Sequence, residues 1–287
     1  MSHCGFSESG SLFHFSSKHQ EENFFSMKVV ILCGGQGTRL REETEVRPKP
    51  MVEIGGRPIL WHIMKLYAEH GLNEFVLCLG YKGHVIKDFF VNYEARMNDC
   101  TVRLGGQRPV VEFHSGHKED GWTVTLAETG ESAQTGARVR RAARYLDGET
   151  FCLTYGDGLG DVKISELLKF HRAHGKLGTV TGVRPPGRFG ELEIEGDQVA
   201  AFAEKPQVTE GFINGGFFVF EPEFVEKYLD DREELTLESE PLQRLAADGE
   251  LMVWPHEGFW QPMDTYREWK ILEDLWQTGR APWKIWE

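Results

Sequence analysis

The sequence VVILCGGQGTRLREETEVRPKP, from Val29 to Pro50, decides the fold. Its first five residues, Val29 to Cys33, form an unbroken apolar run, which is typical of a strand buried on both faces of a parallel sheet. Three glycines follow within four positions: Gly34, Gly35 and Gly37. Because glycine has no Cβ, such a loop can turn tightly and bring its N–H groups close to an anion. Thr38, Arg39 and Lys49 add a hydroxyl and two cations, so the segment predicts a triphosphate site.

Glycine loops also occur in other sites. The dinucleotide-binding fingerprint GxGxxG would need a third glycine where Leu40 stands, and an acidic residue at the end of the second strand. A Walker A loop would need Gly-Lys-Ser/Thr, whereas this chain has Gly-Thr-Arg. A plain tight turn remains possible for the glycines alone. The two spaced cations favour a phosphate ligand.

Strand-like and helix-like segments alternate through the rest of the chain. Pro58 opens a helix that stops at Gly71, the strand Glu74 to Leu79 follows, and a helix is expected from about His84 to Met97. This order predicts an α/β fold, a Rossmann-like doubly wound and mostly parallel sheet. Residues 184–206 predict a β-hairpin arm with its turn at 195–197, and the end of the chain predicts a small C-terminal helical piece.

Two segments do not follow this alternation of strands and helices. Residues 100–125 contain several glycines and are expected to be an irregular insertion. Residues 1–26 lack the basic start and apolar core of a signal peptide, so we expect a disordered extension, with a contact arm for another subunit as the alternative. The remaining residues, 27–287, are predicted to form a single domain.

Composition excludes several classes of protein. A formal net charge of −13 argues against binding to nucleic acid or to an anionic membrane surface. No apolar stretch is long enough to span a membrane, and the five cysteines form no CxxC pair. A cytoplasmic protein is expected.

The glycine segment resembles the signature of the sugar-1-phosphate nucleotidylyltransferases. Further phrases most resemble the glucose-1-phosphate cytidylyltransferases, from WHIMKLYAEHG through TYGDG and INGGFFVF to GFWQPMDT, so the resemblance extends from Met27 to Glu287. It implies transfer of a cytidylyl group from CTP to glucose 1-phosphate, with Mg²⁺ as cofactor. A uridylyl- or thymidylyltransferase and a noncatalytic sensor of nucleotides or sugar phosphates are the alternatives.

The resemblance also implies roles for particular residues. Arg39 and Lys49 are expected to be catalytic, by neutralising the phosphates, and Asp157 and Asp264 are expected to hold the metal. The other nucleotide-binding positions are Leu32, Gly34, Gly35, Gly37, Thr38 and Arg138, together with Asp157. The sugar-phosphate positions are Gly190, Glu204, Lys205 and Asn214. A homo-oligomer with the nucleotide site near a subunit interface is expected.

Several of these residues have simpler interpretations. Asp157, in Gly-Asp-Gly, also suits a turn, and Asp264 with Thr265 and Glu268 also suits a helix cap. Arg138 begins a run of four arginines, which is usually a solvated helix face. The sequence alone leaves these alternatives open.

Overall fold

The computed structural model describes Met1 and residues 27–37, 39–105, 109–119, 121–184, 191–195, 198–203 and 211–287. In chain order, the strands are β1 Lys28–Leu32, β2 Glu53–Ile54, β3 Arg57–Pro58, β4 Glu74–Leu79, β5 Cys100–Arg103, β6 Val110–Phe113, β7 Thr123–Glu128, β8 Phe151–Tyr155, β9 Gly158–Gly160, β10 Gly178–Val183, β11 Glu191–Glu195, β12 Gln198–Ala203, β13 Ile213–Asn214, β14 Phe218–Phe220, β15 Leu251–His256 and β16 Trp260–Pro262. The helices are α1 Arg41–Thr44, α2 Ile59–Ala68, α3 Gly83–Val91, α4 Tyr93–Met97, α5 Thr135–Ala142, α6 Ile164–His174, α7 Pro222–Tyr228, α8 Glu240–Ala247 and α9 Tyr266–Gln277. Short 3₁₀ turns occur at Lys49–Met51 and Ala143–Tyr145.

The central sheet has its parallel part around β1. Strand β1 pairs in parallel with β4 and with β8, and β4 pairs in parallel with the edge strand β7. Beyond β8 the direction reverses at β14, which is antiparallel to both β8 and β10. Strand β10 also pairs with β13 and with β15. The predicted, mostly parallel sheet is confirmed.

Both faces of this sheet are covered by helices. Along β1, Val29 and Ile31 join the core under α2, α3 and α6, whereas Val30 joins the core under α5, α7 and α8. All three side chains are fully buried. An apolar run without alternation is therefore the expected pattern here, and the doubly wound α/β prediction is confirmed.

The structure corrects two predicted elements. The segment expected to be an irregular insertion ends in β7, which forms the edge of the main sheet. Its polar residues at every second position, such as Thr123 and Thr125, are tolerated because an edge strand is only partly buried. The long helix expected from His84 to Met97 is two helices, since Asn92 (φ −102°, ψ 23°) interrupts the helical conformation.

Besides the short β2–β3 pair, two hairpins of the described residues lie outside the main sheet. Strands β5 and β6 form an antiparallel pair, and β11 and β12 form the predicted arm. The turn expected within the arm includes residues 196–197, which are outside the described residues, as are residues 2–26. The single-domain division stays a prediction. In the described part of the chain, every helix is too short or too polar to cross a membrane.

Candidate active site

The glycine loop after β1 has a different steric requirement at each glycine. A Cβ on Gly34 would lie 2.2 Å from the guanidinium carbon of Arg138, and Gly37 has φ +62° and a Cβ there would lie 2.8 Å from Thr44 Cγ2. Both positions therefore require glycine for the fold itself. Gly35 differs, because it is exposed and a Cβ there would meet no protein atom within 4 Å. The absence of a side chain at position 35 leaves room for a ligand beside the loop.

Arg138 anchors this loop through side-chain hydrogen bonds. Its side chain is only 4% exposed, and burial lowers its pKa from the usual value. Its guanidinium donates five hydrogen bonds of 2.7–3.2 Å, to the carbonyls of Gly34, Leu79, Gly130 and Glu131 and to the hydroxyl of Thr129. The alternative interpretation, that Arg138 belongs to a solvated arginine face, is wrong, because its side chain is buried and hydrogen-bonds to three neighbouring segments. The expected exposure is found at Arg140 and Arg144.

Lys49 connects two aspartates at the floor of the site. Its ammonium donates to Asp157 Oδ2 at 2.7 Å and to Asp264 Oδ1 at 2.5 Å, and the second carboxylate oxygen of Asp264 lies 3.0 Å from Arg39. Burial opposes the charged form of Lys49, but the two carboxylates outweigh it and raise its pKa above 10.5. The formal charges of these four side chains cancel.

A short strand pair brings the two aspartates together. Strand β9, directly after Asp157, pairs antiparallel with β16, and Asp264 follows β16 by two residues. The backbone N–H of Met263 donates to the carbonyl of Asp157 at 2.8 Å. The Glu268 carboxylate accepts from the N–H of Asp264 and from that of Thr265, which forms a capping box at the start of α9. Asp264 is thus held beside a helix cap, as one of its two interpretations predicted, and still faces Lys49.

These groups share one cleft at the carboxyl edge of the parallel strands. Its volume is about 500 Å³. The predicted residues that line it are Leu32, Gly34, Gly35, Gly37, Arg39, Lys49, Arg138, Asp157 and Asp264. Ligands of open α/β sheets bind at this edge, and the cleft combines backbone N–H groups, two cations and two carboxylates. Such a set suits a polyphosphate accompanied by a metal ion.

The chain matches the nucleotidyl transferase family model over residues 28–265. It belongs to the nucleotidyl transferase family. It is 54% identical over 263 residues to the glucose-1-phosphate cytidylyltransferase of Salmonella typhi, covering 91% of this chain and 100% of that protein. It is 44% identical over 260 residues to a protein of Bacillus subtilis named probable glucose-1-phosphate cytidylyltransferase, again covering 91% and 100%. The grouping predicted from the motifs is confirmed.

A solved structure shows the same fold. The crystal structure of HddC from Yersinia pseudotuberculosis superimposes with a TM-score of 0.63, at 22% identity, over 87% of this chain and 99% of that one. At this level of identity the likeness concerns the fold alone. The Rossmann-like architecture of this nucleotidyl transferase is therefore shared across widely diverged sequences.

Nucleotidyl transferases generally use a divalent metal ion, and the aspartate pair fits one. Asp157 and Asp264 already converge on a single cationic atom, the Nζ of Lys49, and carboxylate oxygens are preferred ligands of hard cations. Among the described residues, no group of three or more His, Cys, Asp or Glu side chains could hold a metal. Two carboxylates would therefore need phosphate oxygens and water to complete a metal shell, which is common for Mg²⁺.

The predicted sugar-phosphate residues fall mostly outside the described residues. Gly190, Glu204 and Lys205 do so, and so does Thr38 of the nucleotide loop. Asn214 is described, and it lies beside the cleft rather than in its lining. Its Nδ2 donates to the hydroxyl of Tyr155 at 3.1 Å, and Tyr155 does line the cleft.

Sequence reasoning did not name several cleft residues of this transferase. They include Gln36, Glu131, Gln134, Thr135 and Tyr155. Tyr155 could have been found, because it is the last residue of a strand whose carboxyl end faces the ligand edge. Residues 131–134 form a polar loop before α5, and Thr135 is the first residue of that helix. Such a loop is a weak signal that many surface loops share.

Proposed function

We propose that this protein transfers the cytidylyl group of CTP to α-D-glucose 1-phosphate, giving CDP-glucose and pyrophosphate. One observation carries the proposal: 54% identity over the whole length of a glucose-1-phosphate cytidylyltransferase. The cleft supports it, because its cations and its aspartate pair suit two phosphorylated substrates on a protein whose net charge of −13 would otherwise repel them.

The reaction requires alignment and charge neutralisation rather than a covalent intermediate with the protein. A phosphate oxygen of the sugar phosphate forms a bond to the α-phosphorus of CTP. The bond from that phosphorus to the oxygen bridging it to the β-phosphorus breaks, and pyrophosphate leaves with the electron pair. The attacking oxygen is already anionic, so no general base is needed. The protein must hold both anions in line and stabilise the charge that moves to the leaving group.

Lys49 suits the reacting centre. An ammonium has three N–H donors, and two of those on Lys49 are directed at Asp157 and Asp264, which leaves a third for a phosphate oxygen. The raised pKa keeps this group charged at neutral pH. Its backbone lies in a 3₁₀ turn directly after Pro48, and its side chain is nearly buried, so the charge is held in place before substrate binds.

Arg39 suits the departing pyrophosphate. Its side chain is 66% exposed at the glycine loop, and its one described ion pair is with Asp264. Asp157 and Asp264 would hold Mg²⁺, which when bound supplies positive charge to the triphosphate oxygens. Gly35 would let the nucleotide approach the loop backbone, and Glu204 and Lys205 would bind the sugar phosphate.

The test is pyrophosphate release with glucose 1-phosphate and Mg²⁺, measured in parallel with CTP, UTP, dTTP, ATP and GTP. We expect strong preference for CTP and loss of release when a chelator removes the metal. Preference for UTP or dTTP would refute the cytidylyl assignment while keeping the reaction class. Absence of pyrophosphate release with all five nucleotides would favour the noncatalytic sensor.

We also propose a cytoplasmic homo-oligomer. The β5–β6 hairpin supports an association surface, because Val102, Val110, Val111 and Phe113 on its strands are each more than 40% exposed. Light scattering on the eluting peak of a sizing column tests this. A monomeric mass at micromolar concentration would refute it.

A further inference from the structure

Glu238 hydrogen-bonds to residues on two sides of the cleft without lining the cleft itself. It lies just before α8 and is absent from the cleft lining that the described residues form. Its Oε1 accepts a hydrogen bond from the Tyr155 hydroxyl at 2.6 Å, and its Oε2 accepts one from the Thr135 hydroxyl at 2.7 Å. Tyr155 ends β8 and Thr135 begins α5, and both residues do line the cleft. One carboxylate thus fixes the end of a strand relative to the start of a helix.

The hydrogen bonds continue beyond Tyr155 in one direction. A carboxylate only accepts, so the Tyr155 hydroxyl must donate to Glu238 and is left to accept from Asn214 Nδ2 at 3.1 Å. The Oδ1 of Asn214 in turn accepts from the N–H of Gly216 at 2.9 Å. Both ends of the Asn214 amide are therefore assigned, and its orientation is fixed.

We infer that Glu238 is a positioning residue, which orients Asn214 through Tyr155 for the sugar phosphate and Thr135 for the nucleotide. This inference rests on the proposed function, because it assumes that the two substrates bind on these two walls. It assigns Glu238 no contact with either substrate. It follows that the two hydrogen bonds of Glu238 can be removed separately. The bond to Tyr155 is the sugar arm, the bond to Thr135 is the nucleotide arm, and loss of each should have a different kinetic effect.

Tyr155→Phe cuts the sugar arm. The substitution removes one oxygen atom and keeps the aromatic ring, and the bond between Thr135 and Glu238 remains. A hydrogen bond contributes about 1 kcal/mol, which corresponds to about fivefold in an equilibrium constant. We therefore expect the KM for glucose 1-phosphate to rise about fivefold, with the KM for CTP within about twofold of wild type.

Thr135→Val cuts the nucleotide arm and should give the reverse pattern, a raised KM for CTP. Glu238→Ala cuts both arms and should raise both constants. Glu238→Gln should largely restore them, because an amide oxygen can accept from Tyr155 and the amide nitrogen can donate to the Thr135 oxygen. A residue that served only to stabilise the fold would not separate the two constants in this way.

Tyr228→Phe is the matched control. Tyr228 donates to Asp248 at 2.7 Å, so the same atom is removed from the same kind of pair, away from the cleft. Its kinetic constants should equal those of wild type. Thermal unfolding of every variant accompanies the kinetics, and Tyr155→Phe carries the test if Glu238→Ala fails to fold.

An active wild type whose Tyr155→Phe variant keeps its KM for glucose 1-phosphate would overturn the inference. So would equal rises in both constants, or a rise that Tyr228→Phe reproduces. An inactive wild type would instead refute the proposed function.

Discussion

Replacing Arg138 by lysine tests whether this residue anchors the nucleotide loop. The guanidinium donates to five acceptors, whereas an ammonium has three N–H groups and cannot form the same fork. At least two of these hydrogen bonds are therefore lost, although the carbonyls of Gly34 and Leu79 keep other donors. A hydrogen bond contributes about 0.5–1.5 kcal/mol net, so we expect Arg138→Lys to lower the free energy of unfolding by about 1–3 kcal/mol. The site is almost fully buried, so little of this cost is relieved by solvent.

Urea denaturation followed by tryptophan fluorescence measures the effect, with the free energy extrapolated to water. Arg140→Lys is the matched control, because Arg140 is exposed on the same helix, and its change should stay within about 0.5 kcal/mol. Steady-state kinetics on the same samples should show a raised KM for CTP, since the carbonyl of Gly34 loses its hydrogen bond from Arg138. If the unfolding free energy of Arg138→Lys equals that of wild type while the KM for CTP rises, Arg138 acts as a phosphate ligand and the anchoring argument is wrong.

Three further predictions use the same assays. Gly35→Ala should keep the wild-type melting temperature but raise the KM for CTP. Gly34→Ala should lower the melting temperature, because its Cβ would meet the Arg138 guanidinium. Equal melting temperatures for the two variants would contradict this prediction. Lys49→Ala should lower kcat/KM about 10²–10³-fold, the usual effect of removing one donor from a reacting oxyanion, and a loss below tenfold would exclude Lys49 from that role. Burial lowers the pKa of His62 to about 4, so the folded protein binds fewer protons than the unfolded chain between pH 6.5 and 4. Stability should therefore fall as pH drops, by about 1 kcal/mol from pH 6.5 to 5.5, and urea denaturation of His62→Gln should lose that part of the slope.

The sequence predicted the parts of the fold that local patterns encode. The apolar run that begins at Val29 indicates a strand buried on both faces, and the alternation of strands and helices after it indicates parallel strands joined by crossovers. The edge strand β7 was missed because its alternating polar residues and the glycines before it resemble a loop. The interruption at Asn92 was missed because helical periodicity continues through it.

The site was predictable where motifs lie close together in the chain, and less so where distant residues meet. Arg138 was predicted to bind the nucleotide, with a solvated face as the alternative because its neighbours in sequence are arginines. Its hydrogen bonds to the loop were missed because one of its partners, Gly34, lies 104 residues away. Glu238 carried no local signal, since it meets Tyr155 83 residues away. The pairing of β9 with β16 joins two three-residue strands, which are too short for periodicity to show.

The ion pairs of Lys49 also bear on the order of folding. They span 108 residues to Asp157 and 215 residues to Asp264, so they close two of the longer loops in the protein. Closing such loops costs chain entropy, and contacts of this range form late when the intervening chain must first be ordered. During synthesis, the parallel strands around β1 can pair before Asp264 has left the ribosome, whereas the charge arrangement at Lys49 cannot. In a refolding experiment, recovery of activity should therefore lag behind recovery of secondary structure.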